Sequence, residues 1–108
     1  MDEYILILST AASEEEAENI AGRLVDEKLA ACVSIVPTVK SIYVWEGKVC
    51  RDRESLLVIK SAGDLQEKLV ERINGLHSYE CPEVIVLPIT GGSEKYLQWL
   101  GESVGGGI

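Results

Sequence analysis

From Val33 to Ile59 the chain is dominated by Val, Ile, Leu, Tyr and Trp, and Glu46-Gly47 interrupts that stretch near its middle. β-branched and aromatic residues on both sides of a short turn signal predict a long antiparallel hairpin. Val33 to Trp45 would span about 40 Å at roughly 3.3 Å per residue, more than the sheet of a small domain requires, so part of the hairpin is expected to project. Pro37 has no amide hydrogen and predicts a bulge or a break in the first strand. Simple alternation puts Val33, Ile35, Val39, Tyr43 and Trp45 on one side and Val36, Ile42 and Val44 on the other. Neither side is cleanly polar. An arm that is apolar on both faces exposes greasy surface and edge amides unless another copy covers it, so self-association is expected.

The flanking segments supply the remaining elements. Tyr4-Ile5-Leu6-Ile7-Leu8 reads as a buried strand ending near Ser9. Ser13-Glu14-Glu15-Glu16 is a capping box, and Ala17, Ile20, Ala21, Leu24 and Val25 then form the apolar stripe of a helix. Capping and solvation account for the glutamate run. Asp64-Leu65 opens a second helix whose Leu65, Leu69, Ile73 and Leu76 share a face; Gly75 is expected as its left-handed C-cap, with His77 just beyond. Glu83 to Ile89 is a last apolar strand, and Gly91-Gly92-Ser93 leads into a third helix carrying Tyr96, Leu97, Trp99, Leu100 and Val104. A chain of 108 residues holds one core. The expected organisation is one domain over residues 1–104 with a flexible Gly-rich tail at 105–108. The order β-α-β-β-α-β plus a helix is an α+β, ferredoxin-like (split βαβ) arrangement: an antiparallel sheet with two helices on one face. That architecture fixes no function.

Charge narrows the function classes. With 10 Lys and Arg scattered against 18 Asp and Glu, the net charge is −8. Nucleic acid and anionic membranes are poor partners for such a surface. No apolar stretch reaches the roughly 20 residues that cross a bilayer, and Met1-Asp2-Glu3 is not the basic start of a secretory signal, so a cytoplasmic location is expected. Cys32, Cys50 and Cys81 are odd in number and widely spaced, which fits neither a disulfide framework nor a Cys-x-x-Cys metal site.

Site chemistry concentrates in Leu76-His77-Ser78-Tyr79-Glu80-Cys81-Pro82-Glu83, which holds the only histidine. His77, Glu80 and Cys81 are the candidate metal ligands, because a neutral imidazole with carboxylate and thiolate neighbours suits borderline divalent ions. The competing role for His77 is a helix-terminal imidazole donating to a carbonyl. Glu80 and Glu83 also suit solvation or pairing with a basic side chain. Tyr79, Trp45, Glu83 and Lys60 are candidates for lining a ligand cleft, with Lys60 either holding an anion or extending its ammonium to water. Tyr43, Trp45 and Trp99 are candidate interface residues, since aromatic groups concentrate at buried contacts. No Ser-His-Asp order, phosphate loop or histidine pair is present, and a Cys81–His77 nucleophile pair lacks an orienting third group, so an enzyme is not expected.

Leu29-Ala30-Ala31-Cys32-Val33, Tyr43-Val44-Trp45-Glu46-Gly47-Lys48, Ile59-Lys60, His77 to Glu83 and Tyr96-Leu97-Gln98-Trp99-Leu100 occur in an order and spacing that resembles the CutA family of divalent-cation tolerance proteins. The resemblance covers essentially the whole chain. It implies a ferredoxin-like subunit, a homotrimer in which strands of adjacent subunits pair, and a cytoplasmic, non-catalytic protein that binds copper or other divalent cations. The chain departs from the family at Ser78, where proline is usual, and at Ser9 and Leu76, where some members carry cysteine and histidine. Only His77 of that copper set remains, so copper(II) or another divalent cation is expected to bind weakly. Two other readings stay open: a small-molecule sensor of the PII type with clefts between subunits, and a trimeric scaffold for partner proteins.

Overall fold

The structure, a computed structural model, describes residues 3–105. Four strands and three helices follow in the order β1 (Tyr4–Ala11), α1 (Glu14–Asp26), β2 (Cys32–Trp45), β3 (Lys48–Ala62), α2 (Gln66–Leu76), β4 (Ile85–Pro88) and α3 (Glu94–Glu102). The sheet is antiparallel throughout, in the order β2-β3-β1-β4. Alternation decides which face is buried: Ile5, Ile7, Leu57 and Ile59 point to the side covered by Ala17, Ile20 and Leu24 of α1 and Leu69 and Ile73 of α2. This is the α+β element order expected from the sequence. No helix among the described residues is long and apolar enough to cross a membrane.

The opposite face is apolar too. Cross-strand partners place Leu6 beside Leu87, and Leu8 beside Ile85 and Val58, with Leu56 and Val36 one step along. These side chains are only partly buried or exposed, Ile85 at 49 %. α3 reaches this face beside Tyr4, where Gly101 lies against the ring; the exposed Val36, Ile85 and Leu87 still make a larger apolar surface than the scattered greasy residues of an ordinary one.

β3 shows how the arm projects. β1 stops at the Ala11–Ser55 pair, whereas β2 and β3 stay paired out to Trp45 and Lys48. Beyond Ser55 the hairpin is therefore a two-stranded ribbon, and the subunit measures 43 Å along its long axis against 25 and 23 Å across. Glu46 and Gly47 both take positive φ, 50° and 80°, at the tip, as a two-residue hairpin turn of the type that matches strand twist requires. Ile42, Val44 and Val49 on that ribbon are more than half exposed.

Several expectations change in detail. Strand β1 runs past Ser9 to Ala11 because Thr10 and Ala11 find partners in Leu56 and Ser55. Gly75 lies inside α2 without positive φ, and His77 itself occupies the C-cap in extended backbone, φ −84° and ψ 144°. β4 is shorter than residues 83–89. The tail expectation falls mostly on residues 106–108, outside the described residues; Gly105 is held, its amide donating to the Lys28 carbonyl at 2.8 Å.

The consequential change is a bulge. Val36 pairs with Leu56 but Val39 pairs with Glu54, so Pro37 and Thr38 together oppose Ser55, whose hydroxyl donates to the Pro37 carbonyl at 2.7 Å. One extra residue inverts the alternation. Val33 and Ile35 face the helices, while Val39, Tyr43 and Trp45 share the other face with Glu54 and Asp52. The single-sided grouping of Val33, Ile35, Val39, Tyr43 and Trp45 is thus broken at Pro37.

Candidate functional site

The loop after α2 is latched to the sheet by His77. Its side chain is fully buried, and Nε2 lies 2.6 Å from the Thr10 carbonyl oxygen. A carbonyl only accepts, so Nε2 carries the proton, and Nδ1 accepts from the Tyr79 amide at 3.1 Å. Both ring nitrogens are consumed. The imidazole also stands against the Tyr79 ring, with centroids 4.7 Å apart.

Glu16 completes the latch from α1. The Ser13 hydroxyl accepts from the Glu16 amide as a capping box demands, but the Glu16 carboxylate reaches outward. It accepts from the Ser78 amide at 2.8 Å, from the Ser78 hydroxyl at 3.0 Å and from the Ala12 amide at 3.3 Å. Burial alone would push this carboxyl up; the bonds from Ser78 and Ala12 hold it below the ordinary glutamate value. A lowered folded value means that Glu16 stabilises the fold above its unfolded value and that this contribution vanishes as pH falls through the folded one. Glu16→Gln is expected to cost about 2 kcal/mol at neutral pH and to flatten the acid limb of a plot of Tm against pH. Parallel acid limbs in wild type and variant would contradict this role.

Beyond the latch lies a cavity of about 740 Å³ between the loop and the arm, lined from Thr10 and Glu54 at the root to Trp45 near the tip. Tyr43, Trp45 and Tyr79 form its aromatic wall, and Glu54, Glu80, Cys81 and Glu83 its acidic one; no Lys, Arg or His side chain lines it. The Tyr79 hydroxyl donates to Glu54 Oε2 at 2.7 Å, and that of Tyr43 donates to Asp52. Burial and the bond to Glu54 push the Tyr79 phenol up. The bond to Asp52 holds the Tyr43 phenol up at about 12. Both phenols therefore stay protonated as donors.

The sequence candidates divide accordingly. Glu80 and Cys81 line the cavity but His77 does not, and among the described residues no three His, Cys, Asp or Glu side chains gather into a metal cluster. The expected His77, Glu80 and Cys81 set is not assembled within one subunit, because holding the Thr10 carbonyl and the Tyr79 amide uses both imidazole nitrogens. Trp45, Tyr79 and Glu83 line the cavity. Lys60 does not: it pairs with Cys32 across the sheet, its ammonium donating to the Ser34 hydroxyl at 3.1 Å and approaching Cys32 Sγ at 3.7 Å. Tyr43, Trp45 and Trp99 are 40, 43 and 45 % exposed, and Trp99 packs on Tyr96. Glu16, Glu54 and Asp52 were not anticipated as site residues. The signal for Glu54 and Asp52 was the register beyond Pro37.

This architecture is shared. A family model described as CutA1 divalent ion tolerance protein matches residues 5–103. The divalent-cation tolerance protein CutA of Thermus thermophilus is 50 % identical over 105 residues, covering 97 % of this chain and all of that protein. The chloroplastic protein CutA of Arabidopsis thaliana is 52 % identical over 99 residues, covering 92 % of this chain, which spans only 54 % of that longer relative. Among solved structures, Thermus thermophilus Cut A1 superposes with a TM-score of 0.91 at 48 % identity, covering 94 % of this chain and 99 % of that one. CutA1 from Oryza sativa gives 0.92 at 47 %, covering 95 and 94 %. The family's name describes tolerance of divalent ions, not a catalysed reaction. With its model matched over nearly the whole sheet and all three helices, and half the residues of the Thermus relative retained, this chain belongs to the CutA1 divalent ion tolerance family.

Proposed function

We propose that the chain serves divalent-cation tolerance as a non-catalytic, cation-binding homotrimer, with the cleft between the 79–83 loop and the arm as the binding site. One observation carries this reading: three carboxylates and a thiol line the cleft, and no cationic side chain offsets them. Since among the described residues no three metal-ligating side chains converge, water or a neighbouring copy completes the coordination of copper(II) or a similar ion, and affinity is low. Self-association is supported by the exposed Val36, Ile85 and Leu87 of the second sheet face and by the two-sided arm; the number three is what family membership suggests. The non-catalytic reading is supported by the separation of Cys81 from the occupied imidazole of His77. A cytoplasmic location is part of the proposal; relatives are named chloroplastic in Arabidopsis and periplasmic in Archaeoglobus fulgidus, so the compartment varies across the family.

The sensor reading for organic anions loses support, because Lys60, its cation, stands away from the cleft. Calorimetric titration with copper(II) and zinc(II) tests the proposal. Saturable heats are expected, weakened about tenfold or more in a Glu80→Gln/Cys81→Ser variant. Equal heats in wild type and that variant would remove the cleft as the cation site.

A further inference from the structure

We infer that the cleft takes an organic diammonium or polyammonium ion, a flexible divalent cation, in preference to a bare metal ion. The inference rests on the cation-binding reading above and names the ligand class.

Glu54 is the starting point. It is only 8 % exposed, it lines the cleft, and among the described residues no ion pair reaches it. Its one hydrogen bond there comes from the neutral Tyr79 hydroxyl, at Oε2. Its carboxylate faces the cleft with one neutral donor and no cation beside it, which leaves it available to a bound positive charge. Glu80 and Glu83 stand exposed at the rim, which sets a second acidic position apart from the buried one.

The walls discriminate between kinds of cation. A metal ion needs several donors within one coordination shell, and none assembles here. An ammonium needs carboxylates and aromatic faces, which Tyr43, Trp45 and Tyr79 supply. The cavity of about 740 Å³ is of small-molecule size, far beyond one ion. A linear diammonium thus places one end at Glu54 among the rings, its methylenes along Trp45, and its other end at the rim.

The test is calorimetry of the full chain with 1,4-diaminobutane, zinc chloride and sodium chloride at matched ionic strength. Saturable diamine heats are expected, with affinity reduced about tenfold by Trp45→Leu and more by Glu54→Gln. Trp45 is exposed enough for the leucine variant to keep the fold, and circular dichroism checks Glu54→Gln. Zinc heats sensitive to Glu80→Gln, with none from the diamine, would overturn this inference and leave the cation-binding reading standing. No heat from either cation would overturn both, as would a Lys or Arg of a second copy paired with Glu54 in the assembled protein. Diamine heats indifferent to Trp45→Leu and Glu54→Gln would mark general charge screening and overturn the inference as well.

Discussion

His77→Ala is expected to lower unfolding free energy by about 3 kcal/mol and to release the 77–83 loop, so that cation heats weaken in step with the lost stability, through a loosened cleft wall and not a lost ligand. The ring is wholly buried, and its removal strips the Thr10 carbonyl of a donor and the Tyr79 amide of an acceptor. Each orphaned buried group costs roughly 1–3 kcal/mol, and the vacated ring space adds to that. The effect passes along the chain of contacts: Tyr79 loses its anchor, and Glu54 then loses the hydroxyl that holds it. Chemical denaturation, paired with hydrogen exchange at the Ser78 and Tyr79 amides, reads both consequences. Wild-type stability with abolished metal heats would reverse the assignment and make His77 a ligand instead of a latch.

Ile85→Asp or Val44→Asp is expected to break the assembly while leaving each subunit folded. Ile85 is 49 % exposed on the second sheet face and Val44 is 69 % exposed on the arm, so a carboxylate at either place stays hydrated in an isolated subunit. Buried against a second copy, the same carboxylate is an unpaired charge costing several kcal/mol, once for every repeated contact. Dissociation by many orders of magnitude follows, because each 1.4 kcal/mol is tenfold. Circular dichroism close to wild type, together with the loss of the larger species, is the expected pair of readings.

How much of this could be read in advance depended on which force set each feature. The strands and helices were legible because period and capping are local: the Val33–Ile59 hairpin, the Ser13 cap and the Leu69–Ile73 stripe all fold where their patterns place them. Pro37 was read correctly as a disturbance. Its consequence was not, since one inserted residue inverts which side chains face the helices, and only the pairing of Val39 with Glu54 reveals that inversion. The same register brings Glu54 to Tyr79, a contact across 25 residues of chain that no local motif encodes. His77 shows the opposite failure. Its sequence neighbours suggested a ligand set, but the Tyr79 amide and the Thr10 carbonyl near the end of β1 claimed both nitrogens first. Gly75 looked like the cap and His77 holds that place, because the chain leaves α2 in extended backbone and needs no left-handed residue. Glu16 was read as solvated, and its bonds to Ser78 are legible only once α1 and α2 lie side by side.

The proposal that a second copy completes the sheet face and the arm underlies the cleft, its low metal affinity and the variants that split the assembly. Sedimentation equilibrium of the wild-type protein at micromolar concentration is its most direct test. A single species at three times the 11.8 kDa subunit mass is the expected result. A stable, well-behaved species at 11.8 kDa itself would contradict it.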